Sequence, residues 1–285
     1  MSEITIAIFI NPLAGTGKYR RIEREITALL IKEKAIFIVY DSTWPRQLEA
    51  FTHIFLLGGD GTLNHFLNAY PDTKIPLSLF KAGTGNDFAW KLFGNASLSD
   101  QLSIAINGLP HAVDAGICNG RYFINGVGIG FDGAVVKGFL NCRKWMEGNL
   151  AYYWTVLRTL SGYQSKQLEL IINEGEQHLI ARCFMITVAN GSRFGGNFMV
   201  SPRSSLTDNQ FDLVIIEAVS ILKRYFYLPR MKKGRHLSLP FVKSSKIQSV
   251  TISAGKPIAA HLDGELMIAE TFDIKLLPGH FFFRY

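Results

Sequence analysis

From the N-terminus to about residue 110, short apolar runs take turns with segments whose apolar residues recur every three or four positions. Ile4–Ile10 reads as a buried strand, and Arg20–Lys32 as a helix with Ile22, Ile26, Leu29 and Leu30 on one face. Ala35–Tyr40 predicts a second strand, and Pro45–Phe51 a short helix behind the cap candidates Ser42 and Thr43. A strand over Ile54–Leu57, a helix over Thr62–Ala69, a strand over Pro76–Phe80 and helices over Asn86–Leu92 and Leu98–Asn107 continue the alternation. Strand and helix in turn predict an α/β domain over 1–115, Rossmann-like, with a parallel sheet covered on both faces. Ligands of such sheets sit beyond the carboxyl ends of the strands, where this chain places its glycines.

After His111 the pattern changes to shorter runs, several rich in β-branched residues. Val113–Cys118, Arg121–Val127, Gln167–Asn173, His178–Ala189, Phe211–Glu217, Lys246–Ser253 and Phe272–Leu277 read as strands. Helical patterns persist only near Leu150–Leu160 and Ile221–Lys232. The second domain, 116–285, is expected to be β-rich, largely antiparallel and sandwich-like. Its boundary with the first falls between Gly108 and Gly128, and the extreme C-terminus is free to pack back on the first domain.

Composition narrows the class. Hydrophobic residues at 48% and charged residues at 19% exclude a disordered or acidic solvating chain. Cys118, Cys142 and Cys183 are odd in number and lack metal-ligand spacing, which argues for reduced thiols rather than disulfides or zinc. The N-terminus MSEITIAIFI has no basic flank, and no apolar run approaches the roughly 18 residues of a membrane span. A soluble, cytoplasmic protein is expected. Charge is uneven: Ala218–Leu262 holds no Asp or Glu but nine Lys and Arg, more than the net charge of +7. Interleaved with Tyr225, Phe226, Tyr227, Leu228 and Phe241, this block suits an anionic membrane surface, nucleic acid or a merely solvated face.

The glycine-rich places carry the chemistry. Asn11-Pro12-Leu13-Ala14-Gly15-Thr16-Gly17-Lys18 links the first strand to the first helix and offers backbone N–H groups to an anion, but it is not a Walker A loop. Gly58-Gly59-Asp60-Gly61-Thr62 is stronger. Its glycines let backbone approach a polyphosphate, Thr62 offers a hydroxyl, and Asp60 puts a carboxylate where hydrated Mg²⁺ would sit. Ala82-Gly83-Thr84-Gly85-Asn86-Asp87-Phe88 repeats the layout with Asp87, and Asp114 interrupts an apolar strand at a cost that calls for a partner. Asp60, Asp87 and Asp114 are expected to converge on one cleft.

With these motifs, the chain resembles the diacylglycerol kinase catalytic-domain family of lipid kinases, to which sphingosine and ceramide kinases are more distantly similar. The likeness extends through Asn125, Asn190-Gly191, Gly195-Gly196 and Asp263-Gly264-Glu265 and covers almost the whole chain. NAD kinases share the first glycine motif but not the second. The resemblance implies ATP and Mg²⁺ in a cleft between an α/β domain and a β-rich domain that receives the lipid. It assigns Asn11, Gly58, Gly59, Asp60, Gly61, Thr62, Leu63, Asn64 and Thr84, with Ser42 or Thr43, to the nucleotide. Asp60, Asp87 and Asp114 would organise Mg²⁺, partly through water, and Glu265 would be the general base. It also implies a structural metal held by the Asp208 side chain and the Ser205 and Gln210 carbonyls, with Asn209 where glycine is usual. His65 stands where an acid is usual and should alter local charge more than chemistry.

The expected activity is phosphorylation of a hydroxyl of diacylglycerol or a related lipid, with peripheral contact to anionic membrane and no nucleic-acid partner. The alternatives are an NAD kinase-like enzyme and a nucleotide- and lipid-binding regulator with little turnover. The particular lipid and a homodimer are left open.

Overall fold

In the computed structural model, the described residues are 4–12, 17–142, 148–195 and 198–285. The first part runs β1 (Thr5–Ile10), α1 (Lys18–Lys32), β2 (Ile36–Tyr40), β3 (His53–Gly58), α2 (Asp60–Ala69), β4 (Leu77–Lys81), α3 (Asp87–Phe93) and α4 (Leu98–Asn107). These four strands pair in parallel in the order β2-β1-β3-β4. Successive side chains of a strand face opposite ways. Ile6, Ile8 and Ile10 therefore meet Ile26 and Leu30 of α1 and Leu102 of α4. Ala7 and Phe9 meet Leu63, Phe66 and Leu67 of α2, in one cluster with Phe88 of α3.

Next come β5 (Pro110–Cys118), β6 (Arg121–Phe123), β7 (Gly126–Gly130), α5 (Phe131–Cys142), α6 (Gly148–Gly162), β8 (Lys166–Ile172) and β9 (Gln177–Ala189). The chain closes with β10 (Phe211–Glu217), α7 (Ile221–Lys232), β11 (Val242–Ile247), β12 (Ser249–Leu262) and β13 (Glu265–Arg284). These strands pair antiparallel with one another. β7, β9, β8 and β12 form a closed ring of pairings around Val127, Leu170, Ile186, Val188 and Ile252. The other face of β9 and β10 is covered by α5, α6 and α7. β13 joins the two regions: it pairs with β12 and β5, and its last residues reach β4 at Phe283↔Leu77.

Several elements differ from the sequence reading. Pro45–Phe51 is not helical. Trp44 packs its ring on Phe9 and Phe66, the Pro45 carbonyl accepts from the Tyr70 hydroxyl, and the Phe51 amide closes a turn on the Leu48 carbonyl, so tertiary contacts and a turn replace the helix. Arg121–Val127 splits into β6 and β7 because the amides of Ile124 and Asn125 donate to the Asp263 carboxylate. Lys246–Ser253 divides between β11 and β12. Helix α5 was not read at all. Its Gly133 lies against β12, where a Cβ would meet the Ala259 carbonyl oxygen at 2.2 Å.

Candidate active site

Two glycine loops touch at the carboxyl ends of β3 and β4. A Cβ on Gly83 would lie 2.4 Å from the Gly59 Cα, so neither position tolerates a side chain without parting the loops. At Gly58 a Cβ would overlap the Thr62 side chain at 2.4 Å, which explains how α2 can begin so soon after β3. Asn86, at φ 52°, closes the second loop: its Oδ1 accepts from the Gly83 amide at 2.9 Å and its Nδ2 donates to the Gly83 carbonyl at 2.7 Å. Asn11 Nδ2 donates to Thr62 Oγ1 at 3.2 Å and brings the end of β1 to the same rim. Gly61 and Thr84 are exposed there, Leu63 and Asn64 are buried in α2, and Ser42 and Thr43 are exposed beyond β2. Residues 13–16 of the first turn lie outside the described residues. The open N-terminal turn of α2 and the walls kept free of side chains fit a polyphosphate.

The carboxylates divide their work. Asp60 accepts from the amides of Asp87 and Phe88, both at 3.0 Å, and so holds the start of α3. Burial pushes its pKa up to about 6, the neighbouring Asp87 adds to the rise, and the two amides oppose it. Asp87 Oδ1 accepts from Arg193 Nε and Nη2, both at 3.1 Å. The guanidinium is also stacked 4.2 Å from the Trp90 ring centroid. Asp114 does not join this pair. Its oxygens accept from the amides of Asn209 and Gly279, both at 2.8 Å, and pin β5 to a surface loop and to the bulge of β13. The expected convergence of three aspartates is corrected: Asp60 and Asp87 are neighbours whose charges act on one another, whereas Asp114 is held apart from them by the Asn209 and Gly279 amides. Among the described residues, no three of His, Cys, Asp and Glu come together as metal ligands.

Glu265 approaches from the antiparallel region. Asp263 (φ 50°) and Gly264 (φ 92°) form a two-residue turn between β12 and β13, a backbone that Asp-Gly adopts readily. Glu265 is exposed at the start of β13, and its Oε1 lies 3.4 Å from where a Cβ on Gly61 would stand. Asp263 fixes this turn. Its buried carboxylate accepts from the amides of Ile124, Asn125 and Gly126 and from Asn64 Nδ2, at 2.8–3.1 Å. Burial raises its pKa, and these donors oppose the rise. From below, His261 Nδ1 accepts from the Gly264 amide, while its Nε2 lies 3.2 Å from Asp132.

The structural metal implied at Asp208, Ser205 and Gln210 does not fit. The Asp208 carboxylate accepts from Lys246 Nζ at 2.7 Å, and the same ammonium lies 3.2 Å from Asp212. A lysine head supplies the positive charge that a metal would bring. Asn209 does take the left-handed conformation usual for glycine, at φ 57°.

Residues 5–118 match the family profile described as diacylglycerol kinase catalytic domain, and residues 125–282 match the YegS C-terminal NAD kinase beta sandwich-like domain. The chain belongs to the diacylglycerol kinase catalytic-domain family. A Bacillus subtilis relative named diacylglycerol kinase is 29% identical over 82% of this chain and 75% of its own length. A Mycobacterium tuberculosis relative of the same name is 26% identical over 96% of this chain and 93% of its own. A solved diacylglycerol kinase structure from Bacillus anthracis superposes with TM-score 0.75 at 19% identity, covering 100% of this chain and 98% of that one. Another structure from that organism reaches 0.82 at 22% identity, covering 100% and 96%. The fold is shared throughout.

Three contributors escaped the sequence reading of this family member. Arg193 lies between the quoted pairs Asn190-Gly191 and Gly195-Gly196, and a lone cation between such glycines was the available signal. Lys246 was counted only in the basic block. Asp132 had no local signal, because its partner His261 is 129 positions later.

Proposed function

We propose that this chain is an ATP- and Mg²⁺-dependent lipid kinase that transfers a phosphoryl group to a hydroxyl of diacylglycerol or a related lipid. The observation that carries the reading is the exposed Glu265 carboxylate facing Gly61, at the open N-terminal turn of α2 and one residue from Asp60. Asn11, Gly58–Asn64 and Thr84 would hold the nucleotide, with Ser42 and Thr43 at the outer rim. Bound Mg-ATP supplies the transferable phosphoryl group and the cation that offsets its charge. Phosphoryl transfer asks the protein mainly for position and electrostatics. Glu265 would accept the proton of the lipid hydroxyl as its oxygen bonds to the γ-phosphorus and the bond from that phosphorus to the departing ADP oxygen breaks, a role that needs the hydroxyl within about 3 Å of the carboxylate. Asp60 and Asp87 set the negative charge of the cleft, and Arg193 neutralises part of it through Asp87. Peripheral contact with an anionic membrane belongs to the same reading, since the acceptor resides in a bilayer.

The test is transfer of radiolabel from ATP to diacylglycerols, monoacylglycerols, phosphatidylglycerol, sphingosine and NAD in parallel. Labelling of a lipid, with loss in Glu265→Gln, supports the proposal. Labelling of NAD alone replaces it with the NAD kinase reading, and nucleotide binding without transfer to any acceptor replaces it with the regulator.

A further inference from the structure

A surface helix of a globular protein keeps one apolar face, but α7 has two. Tyr227, Leu228 and Met231 pack inward together with Val156 and Leu160 of α6. On the other side, Leu222 is 83% exposed and Phe226 62%, with Tyr225 beside them. Helix α6 repeats the arrangement, with Trp154 57% exposed and Tyr153 and Leu157 also open.

These outward residues form one surface. The Ser161 Oγ and the Tyr225 hydroxyl lie 2.6 Å apart, and Lys232 Nζ sits 5.5 Å from the Tyr153 ring centroid. The two helices therefore run antiparallel, and Tyr153, Leu157 and Ser161, four residues apart, line the seam between them. A contiguous apolar patch of this kind marks an interaction surface.

Charge identifies the partner. The two helices carry Arg158, Lys223, Arg224, Arg230 and Lys232 and no Asp or Glu. Arg224 is spent internally on the Leu160 and Tyr163 carbonyls, whereas Arg158, Lys223 and Lys232 are exposed and Arg230 lies 4.1 Å over Phe226. Aromatic and aliphatic side chains rimmed by cations match the boundary between acyl chains and anionic headgroups. Nucleic acid would account for the cations but not for Leu222.

We propose that the α6–α7 ridge docks this chain onto an anionic bilayer, with Trp154, Leu222 and Phe226 entering the headgroup layer. The inference rests on the lipid-kinase reading for the surface met, and it moves the contact from the basic block as a whole to two helices. Within that block, Lys243 pairs with Glu217 and Lys246 with Asp208, so they are not part of the footprint.

The experiment mixes the whole chain, without ATP, with vesicles of phosphatidylcholine alone or with added phosphatidylglycerol, and pellets them at low and high salt. The wild type should pellet with the anionic vesicles, less at high salt. The triple variant W154S/L222S/F226S should bind about tenfold less or weaker still. Leu222→Glu, at the most exposed position, provides a second variant whose folding is not at stake. Equal pelleting of all three proteins overturns the proposal. So does a wild type that sediments as a dimer, ignores vesicles and becomes monomeric in the variants, since the ridge would then join two copies. Phosphorylation of a dispersed short-chain diacylglycerol is measured alongside. If it is absent in every protein while vesicle binding follows the prediction, the kinase reading fails and the docking surface stands.

Discussion

Lys246→Met removes an ammonium and keeps most of its apolar stem. In the wild type, Nζ lies 2.7 Å from Asp208 and 3.2 Å from Asp212, and Asp212 also accepts from Ser201 Oγ at 2.9 Å. Asp208 is about a third open to water, so its pair contributes at the level of a surface ion pair, about 0.5 kcal/mol. Asp212 is buried, and loss of a charged donor there costs about 1.5 kcal/mol, tempered by the serine that remains. Together these predict a loss of about 2 kcal/mol, or roughly 3 °C in melting temperature for a chain of this size.

The variant then leaves the two carboxylates without their hydrogen-bonded cation, with only the Lys91 charge acting on them, and a divalent cation can serve them. At tenfold excess over its dissociation constant, Mg²⁺ would restore about 1.4 kcal/mol. Thermal melts without nucleotide, in EDTA and in Mg²⁺, read both effects. The wild type should melt alike in the two, Lys246→Met should recover in Mg²⁺, and adding Asp208→Asn should abolish the recovery. Burial lowers the Lys246 pKa, but the hydrogen bond to Asp208 and the charge of Asp212 outweigh it and raise it overall. A raised lysine contributes its stability below the ordinary lysine range and loses it only as pH climbs through the folded value, so the contrast should hold across neutral pH. A wild type whose melting rises with Mg²⁺ as much as the variant's, and loses that rise in Asp208→Asn, would refute the argument.

Asp60→Asn should change the pH dependence of stability. With a folded pKa of about 6 against the ordinary 3.8, the wild type holds the extra stability of the protonated form below about pH 4 and loses about 3 kcal/mol of it as pH passes through 6. The variant lacks that slope, so urea melts that run parallel from acid to neutral pH would sink this account of the site. Glu265→Gln should lower turnover by roughly 10²–10⁴-fold while leaving ATP affinity and melting temperature near wild type, because the side chain is exposed. Weakened ATP binding with turnover preserved at saturation would make Glu265 a binding residue. Gly83→Ala should cost about 3 kcal/mol in chemical denaturation, since its Cβ would meet backbone at 2.4 Å. A variant as stable as the wild type would show that the two loops can part freely.

What was legible in the sequence is what has a local cause. The four parallel strands announce themselves as apolar runs, two of which (β3 and β4) lead into glycine loops, and β10 and α7 lie where their periodicities place them. Helix α5 is hard to see in the sequence because Gly133 and Gly138 weaken helix propensity, whereas in the fold they are the points of close approach to Ala259 and Thr155. Strands β12 and β13 are longer than their β-branched stretches because each runs on through a register shift, one between Ser253 and Ile258 and one between Leu277 and Phe281. The fates of the carboxylates were least legible. Asp114 plainly needed a partner, but its donors lie 95 and 165 positions away. The resemblance alone made Asp208 a metal ligand, and the lysine that pairs with it lies 38 positions later, on β11.

Under the proposed function, the Asp263-Gly264-Glu265 turn gives neighbouring acids opposite duties. A carboxylate that takes a proton from substrate must be reachable, whereas one that fixes geometry works best away from water, where its hydrogen bonds are strongest. The two-residue turn separates the duties: Asp263 is buried under four donors, and Glu265 is left exposed at the start of β13. Helix α2 meets both. Asn64 donates to Asp263, and Gly61, one helical turn earlier on the same face, lies opposite Glu265. That shared face accounts for the stretch of chain from Gly58 to Asn64. The glycines leave room for a ligand and for Glu265, and the asparagine at its end ties the same helical turn to the residue that aims Glu265.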